Sequence, residues 1–454
     1  MIGFENFAWL LVLIGVMILV HEAGHYWAAR SFDVRIEVFS FGFGPRLFGF
    51  KRGETDFRFS LILFGGYVKM AGEQPTDDNV DDPRAFLAKP RWQRLIIAFA
   101  GPAMNMVLAV ALLTGMYMVR YPKTPPSAQE GIVGFVVPNT PAAKAGIREG
   151  DRIVTLDDQQ RPSWEDITIK EVSNANHPLA VRIDRGGREF WTTIVPKLDE
   201  RSGLGTAGWQ PQGEIEIAEL SPGMPAQKAN LQKGDILLTA NGQPLRSTDG
   251  LHRIVEAADG KPVTLEYRRG GVTYSVAVQP IFSKEGGPGR WMIGVYPDYR
   301  VVMTKLQFPQ ALGESVRQNV KSAALIFQFL KGIAEHRMSP KSISGPIGIA
   351  RTLHQQVQWD FRRALWFVIL INVNLAIFNL LPIPVLDGGQ VVFATISRLR
   401  RRDLPANFIA ATQGAFFLLI VSLILYVTVF DVQRWVRDAK AERAEATAPA
   451  QPVK

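Results

Sequence analysis

Residues 7–25, FAWLLVLIGVMILV followed by HEAGH, run an unbroken apolar stretch, Phe7 to Val20, into the turn His21-Glu22-Ala23-Gly24-His25. On one continuous helix, histidines four residues apart project from the same face, where both imidazoles reach a single metal. Glu22 then lies beside that metal, placed to take a proton from water. With six histidines in 454 residues, a chance H-E-x-x-H is a well-under-~1% event. The fourteen residues before His21 climb only ~21 Å at ~1.5 Å each, short of the ~30 Å hydrocarbon core. The histidines therefore fall inside bilayer depth, where ionisable groups are costly and a functional site is the default reading.

Composition fits that placement. Hydrophobic residues make up 47% and charged residues 20% of the chain, which suits membrane spans carrying water-exposed modules. The net charge of +9 comes with no nucleic-acid motif, and the basic residues cluster beside apolar runs as membrane-flank charges. Cysteine is absent, which excludes disulfides, thiolate catalysis and cysteine zinc sites and leaves His and carboxylates as ligands. The N-terminus lacks a cationic leader segment, so we read no cleaved signal peptide.

Four spans are predicted, near 5–29, 95–119, 364–386 and 408–430, giving an α-helical polytopic membrane protein. Arg and Lys are frequent from Arg30 to Arg94 and again from Arg398 to Arg402, so loops 30–94 and 397–407 are expected on the cytoplasmic side. Both termini and the long segment between the second and third spans then face the opposite side of the membrane. The first half of the membrane core is expected over 1–120 and the second over 361–432, with a disordered tail from 433 to 454. Residues 301–360 hold an amphipathic helix, Gln310 to Ile333, read as a connector on that outer side that either lies on the membrane surface or braces the segment before it.

Within the first loop, 34–41 and 57–63 read as strands, with turn signals at Gly42, Gly44, Pro45 and Gly65-Gly66. Phe57 to Met70 is too apolar for a free loop, and Gly65-Gly66 reads as a hairpin turn. Region 34–70 is thus a small membrane-associated β-sheet. Either it only packs on the membrane face, or its edge, around Ile62, Leu63, Gly65 and Gly66, pairs with an extended substrate beside the metal.

The outer segment repeats. Pro138-x-x-Pro141-Ala142-x-Lys144-Ala145-x-Ile147-x-x-Gly150-Asp151 recurs as Pro222-x-x-Pro225-Ala226-x-Lys228-Ala229-x-Leu231-x-x-Gly234-Asp235, at an offset of 222 − 138 = 84. The offset continues through Ser163/Ser247 and Gly186-Gly187/Gly270-Gly271. A period this long marks a duplicated small domain rather than a solenoid. Each copy, 121–211 and 212–300, resembles a circularly permuted α+β PDZ domain, a class that binds extended peptides and free C-termini by strand addition. Leu204–Trp209 and Met292–Val295 are the candidate carboxylate-cradling segments. A spacer without a ligand is the alternative.

Zinc needs a third protein ligand and an open position. His177 and His252 lie in the repeats and His336 and His354 in the connector, all on the wrong side. Glu37, Glu54 and Glu73 belong to the cytoplasmic loop. Asp387 fits better, because it ends the third span in Asn379-x-x-Pro382-x-Pro384-x-x-Asp387-Gly388-Gly389. The first and third spans run in the same direction and bring it to the depth of His21 and His25. Pro382 and Pro384 break the helix there.

These motifs, with Gly42-Phe-Gly-Pro45, Phe64-Gly-Gly-Tyr-Val-Lys-Met70 and Ser344-Gly-Pro-Ile-Gly348, make the chain similar to the site-2 protease family over residues 1 to about 430. One departure is Gln390, where such proteins often carry His. The resemblance implies an intramembrane metalloendopeptidase with Zn2+ on His21, His25 and Asp387, Glu22 as general base, and substrate contacts from the Asn379, Pro382 and Pro384 segment. It also implies a cell inner membrane with both termini, the repeats and the connector in the periplasm, single-span anti-sigma factors in envelope-stress signalling as substrates, already shortened outside by another protease, and leftover signal peptides. Bulky outer domains on a substrate are expected to clash with the repeats. A membrane-anchored peptide receptor with a structural metal is the rival, although a structural site does not require Glu22.

Overall fold

The computed structural model describes residues 4–73, 77, 82–123, 130–199, 204–283, 289–335, 345–359, 361–400, 402 and 404–447. Two compact units divide the chain, one holding Met1–Tyr121, Lys305–Phe327 and Ser344–Val432, the other chiefly Pro122–Thr304. Four helices are long and apolar enough to cross a membrane, over Val12–Ser31, Arg91–Val119, Arg362–Leu380 and Ala406–Arg437.

In the first unit, helix α1 (Phe4–Ser31) leads into strands β1 (Ile36–Arg52) and β2 (Thr55–Met70), and α2 (Arg91–Val119) follows. The pairing of β1 with β2 has an unusual register. Val38–Phe41 pairs with Gly66–Lys69 on one side and with Asp56–Phe59 on the other, while Arg46–Arg52 pairs with Thr55–Ser60. Two long strands therefore fold into four short ones, and the chain doubles back inside each element. Gly42 (φ 95) and Gly44 (φ 86) permit the reversal in β1. In β2 the reversal falls between Ser60 and Gly66, because Gly66 is already paired with Phe41. The expectation of a two-residue turn at Gly65-Gly66 is corrected accordingly. A side chain at Gly65 is excluded because its β-carbon would overlap the Phe43 ring, 2.0 Å away.

Glycine also sets how closely α1 meets α2. A β-carbon on Gly24 would stand 2.3 Å from the Ala100 carbonyl oxygen, so the two backbones meet at a contact that only small residues allow.

The second unit contains both repeats. In the first, strands Arg152–Leu156, Leu179–Arg185 and Arg188–Ile194 form a sheet with Gln159–Gln160, and helix α3 (Trp164–Ser173) packs against it. In the second, Ile236–Ala240, Val263–Arg269 and Val272–Val278 repeat that order, with α4 (Thr248–Ala257). The cores match position by position at the same offset: Ile153, Ile167, Val181 and Ile194 in one, Leu237, Leu251, Leu265 and Val278 in the other. Each helix starts on an equivalent serine, Ser163 accepting from Asp166 N–H and Ser247 from Gly250 N–H. The Gly-Asp signature has a structural cause. Asp151 accepts from two Arg185 nitrogens at 2.7 Å and from the Arg148 N–H, and Asp235 accepts likewise from two Arg269 nitrogens at 2.6 Å and from the Gln232 N–H.

The chain then returns through α5 (Phe308–Ala334), α6 (Pro346–Trp359), α7 (Phe361–Leu380), α8 (Asp387–Arg400) and α9 (Ala406–Thr447). Three expectations are corrected here. The connector is not surface helix alone: besides α5, which covers the expected Gln310–Ile333, it holds α6, which packs on α1 and α7 with Leu353 buried beside Met17. Its start is pinned where the Gly348 N–H donates to Asp431 at 2.8 Å, and a β-carbon at Gly345 would crowd the same carboxylate. The third span stops at Leu380, and Asp387 opens a separate helix rather than ending the span. Finally, α9 continues to Thr447, because Ala, Glu, Lys and Arg after Arg434 are strong helix formers. Residues 448–454 lie outside the described residues.

Candidate metal centre

His21 and His25 leave α1 on the face that meets α2, and both are buried. The turn from Leu381 to Leu386 carries the chain from α7 into α8 and delivers Asp387 to the same place. Gly388 and Gly389 make that turn possible. A β-carbon on either would stand 2.2 Å from the Leu381 oxygen or 2.4 Å from the Ile383 oxygen. The three side chains converge. His21 Nε2 is 3.1 Å from Asp387 Oδ2, His25 Nε2 is 3.4 Å from Asp387 Oδ1, and the two Nε2 atoms are 3.2 Å apart.

These spacings fit a metal. Three atoms bound at ~2.0–2.1 Å to one tetrahedral ion stand ~3.3 Å apart. His25 Nδ1 donates to the Ile97 carbonyl at 2.7 Å, which puts its proton on Nδ1 and turns the Nε2 lone pair to the centre. Asp387 Oδ2 is buried with no hydrogen-bond partner among the described residues. Lone pairs aimed at each other repel, and a cation satisfies them together. Among the described residues, His21, His25 and Asp387 are the one group of three or more metal-binding side chains this close.

Glu22 points to the sheet side. Gly66 of β2 lies against it, close enough that a β-carbon there would be 3.1 Å from Glu22 Cγ. The Val68 amide is within hydrogen-bonding reach of its carboxylate. The edge that approaches the centre is thus Gly66–Val68, while Ile62 pairs with Phe43 and is half exposed. The backbone of Leu63 lies within β2, between Ile62 and Gly65. Asn379, one turn before the Pro382 and Pro384 break, places its Nδ2 3.4 Å from His21 Nε2.

The loop carboxylates weighed as ligands are not in that cluster, although Glu73 lies near enough to feel the charges of His25 and Glu22. Glu37 pairs with Lys69, Glu54 with Arg84, and Glu73 accepts from the Met70 N–H. His354 sits on α6, His177 and His252 in the repeats, and His336 lies outside the described residues.

Two residues of the site escaped the sequence reading. Gly101 of α2 leaves room for the ligands, since a β-carbon would be 2.3 Å from His25 Nε2 and 2.8 Å from His21 Nε2. Asn105, fully buried one turn later, has its amide 3.3 Å from His21 Nδ1. The ends of an amide are nearly isosteric and their roles follow from the network. With its carbonyl toward His21 it accepts the Nδ1 proton and leaves Nε2 for the metal. Asn372 of α7, also buried, donates to the Asn105 backbone carbonyl at 2.6 Å and so ties α7 to α2 at this level. The available signal was a strongly polar Asn105 inside an apolar span.

The model of "Peptidase family M50" matches residues 9–423 of the chain. A protein of Xylella fastidiosa named "Putative zinc metalloprotease" is 32% identical over 439 residues, covering 91% of this chain and 96% of that one. "Regulator of sigma-E protease RseP" of Salmonella typhimurium is 31% identical, covering 87% of this chain and 91% of its own length. Its namesake in Escherichia coli is 30% identical, over 86% and 90%.

Proposed function

The chain belongs to peptidase family M50 and is a zinc metalloendopeptidase of the site-2 protease type, and from that premise we propose that it cuts single-span membrane proteins within their membrane segment, at a zinc held by His21, His25 and Asp387. The convergence of the three side chains beside Glu22, where α1 crosses α2, carries this reading. Zinc bound there lowers the pKa of water to ~7 and polarises the scissile carbonyl.

The chain's own residues supply the rest. Glu22 takes the proton of the attacking water and returns it to the leaving amine. The Asn379 amide, beside His21, donates to the carbonyl oxygen as charge develops on it. His25, fixed by Ile97, and His21, fixed by Asn105, hold their lone pairs without rearrangement. A membrane helix satisfies its own backbone and resists attack until it is locally unwound. The edge Gly66–Lys69, paired on one side with Val38–Phe41, offers strand pairing to the unwound segment beside Glu22. Pro382 and Pro384 keep the α7–α8 connection free of helix, so that the substrate strand meets an irregular backbone lining the site.

We assign the two repeats as PDZ domains on their strand and helix order. Membrane-bound anti-sigma factors shortened by a first periplasmic cut are the substrates this reading favours, with signal-peptide remnants second. The names of the relatives and the repeats inserted between α2 and α7 support it. The deciding experiment incubates the purified protein with a model single-span substrate, with and without a zinc chelator. Cleavage that stops with chelator and returns with zinc is the expected result, and chelator-resistant cleavage removes the proposal.

A further inference from the structure

The two repeats place equivalent loops in equivalent bonds. In the first, the Val137 N–H donates to the Gly208 oxygen at 2.8 Å and the Ala142 N–H to the Ala207 oxygen at 2.9 Å. In the second, the Ser221 N–H donates to the Gly294 oxygen at 2.9 Å and the Ala226 N–H to the Ile293 oxygen at 2.8 Å. Loop 205–209 thus corresponds to loop 291–295, each facing the helix of its own repeat.

What lies between loop and helix differs. In the second repeat the space is a cavity of about 230 Å³, lined by Leu251, His252 and Val255 of α4 and by the loop Met292–Val295. In the first repeat, the residue at the position of Val255 is Glu171 (255 − 84 = 171). Its carboxylate accepts the Ala207 N–H on one oxygen and the Trp209 indole N–H, at 2.8 Å, on the other, with the Gly208 N–H also in reach. Loop and helix are drawn together there, and a β-carbon on Gly205 would stand 2.3 Å from the Glu171 carbonyl oxygen. In the second repeat the neighbouring acid, Glu256, accepts the Trp291 backbone N–H at 3.0 Å but is not among the residues lining the cavity. Burial pushes the Glu171 carboxyl above the usual range, against the pull of its N–H donors.

N–H groups converging on a carboxylate from a loop are how a chain recognises a free C-terminus. We propose that the first repeat carries a carboxylate-binding cradle already filled by its own Glu171, so that it takes no peptide C-terminus until that side chain is removed or displaced. The repeats are then unequal, one latched and one open. The proposal rests on the reading of the repeats as peptide-binding domains.

The test uses the full-length protein in detergent and a fluorescein-labelled decapeptide ending in a free valine carboxylate, with its C-terminal amide as control. Binding is read by anisotropy for the wild type, Glu171→Val, Val255→Glu and the double variant. The wild type should prefer the acid through the second repeat, by about tenfold. Val255→Glu should abolish that preference, and adding Glu171→Val should restore it at the first repeat. Glu171→Gln, which keeps the side chain's size, should restore it more weakly, and resistance of the repeats to limited proteolysis checks that each variant is folded. A folded double variant that does not prefer the acid, where the wild type does, overturns the latch but leaves the peptide-binding reading standing. If no protein, wild type included, distinguishes acid from amide, the peptide-binding reading fails and the latch with it.

Discussion

Gly101 of α2 touches His25 of α1 so closely that a single methyl group in its place would stand 2.3 Å from His25 Nε2 and 2.8 Å from His21 Nε2. The centre is therefore shaped by what one helix leaves out as much as by what the other puts in. Gly101→Ala should lower zinc affinity by on the order of 10- to 100-fold while the four apolar helices still insert. Metal content by elemental analysis after dialysis against a weak chelator measures this. Retention of equimolar zinc would show that α1 and α2 part without disturbing the ligands.

Glu22 stands beside the three proposed ligands and is not one of them. Glu22→Gln should keep zinc and lose about 10²- to 10⁴-fold in cleavage rate. Asp387→Ala should lose both, because two imidazoles alone hold the ion poorly. Single-turnover cleavage paired with metal analysis separates the cases, and full zinc occupancy in Asp387→Ala would rule out the third ligand.

Asn105 contacts His21 Nδ1, so in the proposed centre it would act on the ion through that ring. Asn105→Ala should weaken zinc binding about 10- to 100-fold and leave kcat at saturating zinc within a few-fold of wild type. Competition with a chromogenic chelator reads the affinity. An unchanged constant would mean that His21 is held by its packing.

Gly66 of β2 faces Glu22, Ile18 and the Ser40 carbonyl oxygen at 3.0–3.1 Å from where a β-carbon would be. Gly66→Val should push the edge strand off α1 and slow the cutting of helical substrates by about tenfold or more, with zinc content unchanged. Ile62→Pro, which removes a backbone N–H away from Glu22, should act in the same direction but less. Wild-type turnover in both would reduce the sheet to a structural role.

In the repeats, Asp235 is 1% exposed and holds Arg269 through two bonds, while Arg269 keeps 30% of its side chain in water. Asp235→Ala should destabilise the second repeat by about 2–3 kcal/mol, at or below the low side of the range for breaking a buried pair because the arginine is partly hydrated. Pulse proteolysis of the full chain in urea measures it. Replacing residues 128–300 by a flexible linker tests the larger role of the repeats. Loss of discrimination between full-length and pre-shortened substrate is the expected outcome, and retained discrimination would show that the repeats are not what excludes bulky outer domains.

Periodicity and spacing in the sequence determined much of this protein. Apolar length marks four spans, the offset of 84 marks the duplication, and H-E-x-x-H marks the ligand face of α1, because each is a local consequence of residue order. Asp387 was legible for the same reason, as an acid beside two prolines at the end of an apolar run. Its place at the head of α8 was not, since a helix start and a helix stop share the Asp-Gly-Gly signature when the preceding turn is unseen. The doubling of β1 and β2 was also hidden, because pairing partners 18 residues apart, such as Phe39 and Phe57, leave no period in the chain. Gly101 and Asn105 belong to the centre only because α1 and α2 cross at Gly24 and Ala100. Glu171 faces the loop at Ala207 only because α3 folds back over it. Contacts made across such a crossing depend on two surfaces at once, and the order of residues along either one does not contain them.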